Sequence, residues 1–201
     1  MSIWNRAFDE GLRSGTAASL LSSLVLLAAG RLESGAAYAP TNATSHWLWG
    51  RPAFYADRPS LRHTLTGYVI HHGACIFWAT LHARATARMA PDPAAAAVAG
   101  LATAAVAAVV DYRLTPKRLT PGFEHRLSRC AMTGVYLVFG LGIGLAALAY
   151  RRRKRGDGIL RRHGAKPRAA VNRDRHAPRG RSPLPGLEWF WAARGEPPRR
   201  G

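Results

Sequence analysis

Four stretches of this sequence contain no Lys, Arg, Asp or Glu: residues 14–30, 63–83, 93–110 and 130–150. A helix of a soluble bundle carries charge on its outward face, so these runs exclude an ordinary soluble four-helix domain. Acidic residues are also scarce, 11 against 29 Lys and Arg. Cysteine is limited to Cys75 and Cys130. One lies inside an apolar run and the other opens a later one, so a disulfide framework is excluded, and two buried free thiols are expected. The mean hydropathy of −0.11 would suit a soluble protein, but it averages over segregated apolar and charged segments.

The runs are 17, 21, 18 and 21 residues long. At 1.5 Å per residue, about 20 residues cross a ~30 Å hydrocarbon core. The fold class expected is therefore all-α, a polytopic membrane bundle of four transmembrane helices at about 14–32, 63–83, 93–110 and 130–150. Residues 1–13 form an N-terminal cytoplasmic segment, and 151–201 a disordered basic cytoplasmic tail. The first run has some marks of a cleaved signal, with Arg6 and Arg13 before it and Ala37-Tyr38-Ala39 after it. Arg31, Glu33 and Pro40 interrupt that pattern, so an uncleaved helix is expected. Lys and Arg number two, two and nine in the N-terminal segment, second loop and residues 151–170, against four and five in the first and third loops. The bias favours both termini in the cytoplasm of a bacterial inner membrane.

The second run differs in kind. His71 and His72 fall near its middle, a depth at which ionisable groups face a bundle interior or a watery cavity. At helical spacing Thr64, Gly67, Tyr68, His71, Cys75, Trp78 and His82 share one stripe, and His72 points about 100° away. Packing by hydrogen bonds and a ligand, proton or metal role both fit this seam. A bis-histidine haem needs ligands on facing helices, and the other runs hold no histidine. A membrane di-iron oxygenase needs repeated histidine clusters that are missing here. His71 and Cys75 supply only two ligands, so no metal and no cofactor is expected. The alanine-rich third run with Gly100, and Gly140, Gly142 and Gly144 in the fourth, are small-residue faces of the kind that allow close helix crossing.

The loops carry the remaining polar candidates. The first contains Ala39-Pro40-Thr41-Asn42-Ala43-Thr44-Ser45-His46-Trp47-Leu48-Trp49-Gly50 and then Asp57 to His63. Trp47 and Trp49 suit an interfacial segment, and Ser60 is placed to cap the second helix. Asn42-Ala43-Thr44 matches a glycosylation sequon, a short and common pattern that is discounted in a chain of bacterial character. The third loop repeats Arg113-Leu114-Thr115-Pro116 as Arg118-Leu119-Thr120-Pro121, and Ser128 is suited to start the last helix. Both loops lie on one side in the orientation above. His46, His63, Asp57, Asp111, Glu124 and His125 then gather over the outer mouth of the bundle, above His71 and His72, as candidate binding or proton-relay groups. No catalytic residue is assigned.

The string Ala39 to Gly50, the histidine pair within Gly67 to Trp78, and Val110-Asp111-Tyr112 through Arg126-Leu127-Ser128 resemble a group of small bacterial multi-pass inner-membrane proteins. The resemblance covers roughly residues 10–150. It implies a membrane location and four spans and brings no activity or catalytic residues.

Residues 151–201 hold 16 Lys and Arg against 4 Asp and Glu. Few aliphatic residues are present to drive folding. Arg151, Arg152, Arg153, Lys154 and Arg155 adjoin the last span, so anionic lipid contact is expected. Nucleic acid is disfavoured for want of a recognisable binding module, and Trp189-Phe190-Trp191 suits a headgroup region or a partner motif. The functional expectation is a non-enzymatic accessory or structural membrane protein, with a homo-oligomer or membrane-complex partner. The alternatives are a proton-linked transporter using His71 and His72, and a metal- or haem-binding redox protein.

Overall fold

Ser2 opens the first helix by accepting a hydrogen bond from the Asn5 amide at 3.1 Å, and Gly35, at φ 68°, closes it. This is α1, Ile3–Ser34. The computed structural model describes residues 2–162, with side chains through residue 157. The described chain is helical throughout and has no strand. Two short helices follow, α2 (Ala39–Thr44) and α3 (His46–Trp49), and then three long ones, α4 (Thr66–Ala85), α5 (Pro93–Val109) and α6 (Arg129–Arg162).

Local chemistry sets the boundaries. Ser60 accepts from the His63 amide at 3.1 Å and starts a single wide π turn, Leu61–Leu65, that leads into α4. Asp92 caps α5 by accepting from Ala95 at 2.7 Å, with Pro93 in the first position where its missing N–H costs nothing. A second π turn, Val110–Leu114, ends α5. Ser128 starts α6 by accepting from Ala131 at 3.2 Å, and Glu33 at the end of α1 accepts from both its hydroxyl and its amide at 2.6 Å.

Three helical segments, Ile3–Ser34, Pro93–Leu114 and Arg129–Asp157, are long and apolar enough to cross a membrane. The 20-residue α4 has sufficient length, but His71, His72, His82 and Arg84 lower its hydropathy.

Helix packing relies on small residues. α1 buries Ala7, Gly11, Ser14, Gly15, Ala18 and Ser22 along one stripe. A Cβ on Gly15 would lie 2.6 Å from the Ile76 Cα of α4, and one on Gly142 of α6 would lie 2.9 Å from the Ala18 Cα. Gly100 of α5 is pressed against Gly140 and Gly144 of α6, 3.0 Å from the Gly144 nitrogen to the position of a Cβ. Ala18, Cys75, Ala79, Ala104, Ala107, Phe139 and Ile143 form the core where the four long helices meet.

Three expectations need correction. The last helix does not stop at Tyr150: residues 151–162 are helical, with no proline to interrupt them and with Arg151 and Lys154 paired to acidic residues of α1. Arg151 is turned inward rather than towards lipid. It pairs with Glu10 at 2.7 Å and donates to the Thr86 carbonyl at 2.9 Å and hydroxyl at 2.7 Å. Arg152 donates to the Pro91 carbonyl and Lys154 pairs with Asp9, while Arg153 and Arg155 are exposed. Cys130, expected to be buried, is exposed in the first turn of α6, whereas Cys75 is buried. Residues 163–201, with the remaining tail and Trp189-Phe190-Trp191, lie outside the described residues.

Gly100→Ala is expected to destabilise the purified protein by about 1–3 kcal/mol through overpacking. Gly134→Ala, where a Cβ meets nothing within 4 Å, should be near neutral. Thermal melting in one detergent checks the contrast. Arg151→Met should cost about 3 kcal/mol by leaving Glu10 uncompensated, and the double change Glu10→Leu/Arg151→Met should recover most of it. Equal melting temperatures for the single and double variants would count against the ion pair as the cause.

Candidate functional site

The first connection folds back onto the bundle. All six residues of α2 are buried, and Gly67 of α4 lets the Thr41 backbone approach where a Cβ would collide with its carbonyl. Asn42 anchors the turn. Its amide donates to the carbonyls of Ala56 at 2.8 Å and Arg58 at 3.0 Å, and its oxygen accepts from Thr64 at 2.6 Å. The sequon asparagine is fully buried and has no room for a glycan.

The third connection closes on the first. The Trp47 indole donates to the Thr120 carbonyl at 2.8 Å, and Arg118 donates to the Trp47 carbonyl at 3.3 Å. Arg126 binds the Phe54 carbonyl at 2.8 Å and Asp57 at 2.5 Å. Gly122, at φ 88°, places its backbone against Ala43 and His46 where no side chain fits. Together the two loops make a roof over one end of the bundle.

Beneath that roof lies a cavity of ≈ 580 Å³ between α4 and α5, with α6 as its back wall. Such a volume suits a small organic molecule. Val69 and Phe77, on its α4 rim, are 58% and 57% exposed, so the cavity opens sideways onto the surface of the bundle. Most of the wall is apolar, and Trp47, Trp78, Phe123, Tyr136 and Phe139 give it an aromatic lining.

Its polar groups are few. The Tyr136 hydroxyl donates to Asp111 Oδ2 at 2.6 Å. The π turn that ends α5 holds Asp111 at this point, an example of a wide turn at a polar site. His71 Nε2 lies 2.9 Å from the Ser22 hydroxyl and 3.7 Å from Cys75 Sγ. The Ser22 hydroxyl also lies 2.8 Å from the Ala18 carbonyl.

Of the candidate residues, His71 and Asp111 line this cavity, and the others do not. His72 stacks on Tyr68 with centroids 5.6 Å apart. His46 is buried, with Nδ1 bonded to the Ala43 carbonyl at 2.9 Å, and it packs on Phe54, which also stacks with the exposed His125. His63 bonds Ser45 at 2.9 Å. Asp57 is engaged by Arg126, and Glu124 keeps one buried oxygen without a partner among the described residues. Apart from His72, these groups share the roof end, but they do not converge on one point. Among the described residues, no three His, Cys, Asp or Glu side chains are grouped to hold a metal ion. The seam of α4 divides likewise: Cys75 and Trp78 join His71 at the cavity, while His82 faces Thr103 at 2.9 Å.

Sequence reasoning missed Ser22, Tyr136 and Phe139. The serines at 14, 19, 22 and 23 within the first apolar run were a signal for the α1 partner of the histidines. Nothing in the fourth run marked Tyr136 as facing Asp111. No protein-family model, no curated protein and no solved structure matches the chain.

Arg126→Ala is expected to loosen the roof by about 2 kcal/mol, since it removes hydrogen bonds made by a charged donor. Amide exchange over residues 39–57 should accelerate by about 30-fold. Asp57→Asn should change it far less, because a half-exposed pair contributes under about 1 kcal/mol.

Proposed function

We propose that this chain is a four-span protein of a bacterial inner membrane that binds an apolar molecule drawn sideways from the bilayer and catalyses no reaction. The observation that carries this reading is the aromatic cavity opening between Val69 and Phe77 beneath a closed roof. A ligand arriving from water would meet the roof, whereas one dissolved in lipid meets the opening.

The direction of the chain supports four spans. The start of α1 lies beside α6 near its Arg151 (Glu10–Arg151), and the end of α1 lies beside the start of α6 (Glu33–Ser128). The start of α5 is at the Arg151 end, where Arg152 meets Pro91. The chain must therefore return between Ser34 and Pro93, and α4 makes that passage, with Thr64 at the roof and Thr86 at the opposite end. The histidines that lower its hydropathy are turned to partners inside the protein. The basic bias of the N-terminal segment, the second loop and the tail supports placing that opposite end in the cytoplasm. Ala18 and Leu26 in the core support an uncleaved α1. Exposed Arg153 and Arg155 keep anionic lipid contact as a role for the start of the basic tail.

Gly100, Gly140 and Gly144 are occupied within the chain, which removes the argument for a homo-oligomer through those faces. A proton-linked permeation path is less well supported, because buried Ala79, Ala104 and Ile143 lie packed in the core with Cys75. A haem or redox role is weakened by the divergence of His71 and His72 towards different partners.

A long-chain alcohol carrying a diazirine tests the cavity in lipid nanodiscs. Photolabelling should concentrate on residues 69–78 and 135–139. Gly73→Trp should cut it by about ten-fold, since Gly73 lines the cavity and a Cβ there meets open space. Label spread evenly over lipid-facing helix surfaces, unchanged by Gly73→Trp, would refute the reading.

A further inference from the structure

We infer that the cavity is selective for a lipophilic organic cation, such as a quaternary ammonium or phosphonium with an apolar body, with Asp111 as its counter-charge. The inference rests on the reading of the cavity as a site for a bilayer-soluble ligand and adds the ligand's chemical class.

Three features of the wall converge on this class. First, the carboxylate among the described lining residues has an acceptor to spare. Asp111 accepts one side-chain hydrogen bond among the described residues, from Tyr136 at Oδ2, which leaves Oδ1 without one. His71 Nε2 is engaged with Ser22, and the Trp47 N–H is spent on Thr120.

Second, the charge has one sign. No Lys or Arg is among the described residues lining the cavity, so Asp111 has no cationic protein partner there. A carboxylate at a low-dielectric site without a counter-ion is costly, and a bound cation supplies the missing charge. The same lack of basic residues disfavours aminophospholipids, whose ammonium comes with a phosphate.

Third, aromatic faces line the space. Trp78, Trp47, Tyr136 and Phe139 share the cavity with Asp111. Aromatic rings attract weakly hydrated organic cations through their quadrupoles, most strongly where water is excluded. The apolar remainder of the wall suits the ligand's body, and the lateral opening suits entry from the membrane.

The test uses the full-length protein in nanodiscs and two probes of one shape, tetraphenylphosphonium and neutral tetraphenylsilane. Saturable binding of the cation is expected, with at least about ten-fold preference over the neutral isostere. Asp111→Asn should abolish the preference and Asp111→Glu should keep it. Gly73→Trp should remove binding of both probes. Added phosphatidylethanolamine should not displace the cation. Size-exclusion and circular dichroism establish that each variant is folded, and Asp111→Glu keeps the test open if Asp111→Asn fails to fold.

Equal binding of the two probes, both lost in Gly73→Trp, would overturn the cation inference and leave the lipid-soluble ligand reading intact. Binding of neither probe, with no diazirine labelling of the cavity, would overturn both. Displacement by phosphatidylethanolamine would overturn the exclusion of aminophospholipids and with it the assigned class.

Discussion

α1 meets α4 through residues too small to hold two helices apart, and the rest of the bundle depends on that approach. With Gly11 and Gly15 at the crossing, the α4 backbone lies where any larger side chain would collide. Close approach puts the serines of α1 within reach of the polar face of α4, so that Ser22 bonds His71 at 2.9 Å. In a lipid setting such hydrogen bonds add modestly to van der Waals packing. α4 is thus held against α1 over much of its length and meets α5 only lightly, with His82 and Thr103 joined away from the roof. The cavity occupies the space left where α4 and α5 are not packed together.

The second close approach, α5 on α6, fixes the opposite wall. Gly100 seated against Gly140 and Gly144 brings the two helices together, and Tyr136 then reaches across to Asp111. Charged groups inside the bundle follow one rule at both ends: a charge withdrawn from solvent is matched or hydrogen-bonded. Arg151 and Glu10 satisfy each other at the end away from the roof. Asp111 has only a tyrosine hydroxyl, and this difference marks the cavity as the place where a ligand charge is wanted.

The roof illustrates how loop residues acquire structural duties. Asn42, Trp47 and Arg126 each satisfy backbone carbonyls of a distant segment, which lets the connections lie over an apolar space without stranding their polar groups. His46, His63, Asp57 and His125 are part of the same construction. Their grouping at one end was legible in the sequence, because loop parity brings the first and third connections together. Their separation into local contacts was not, because it depends on how α2 folds back over Gly67. The capping roles of Ser60 and Ser128 were legible, since a cap acts within one turn. The inward turn of Arg151 was hidden, because Glu10 is 141 positions away in the chain.

By itself the sequence determined the helical character, the apolar segments, the small-residue crossings and the singularity of the histidine-bearing helix. Those properties follow from local composition and from the helical period. Only the tertiary structure decided which polar residues meet. His71 and Asp111 came to share a cavity, with Tyr136 and Trp78 beside them, because the gap between α4 and α5 is set by how closely each is drawn to its other neighbour. That balance of interhelical distances is a property of packed backbones, and no single segment encodes it.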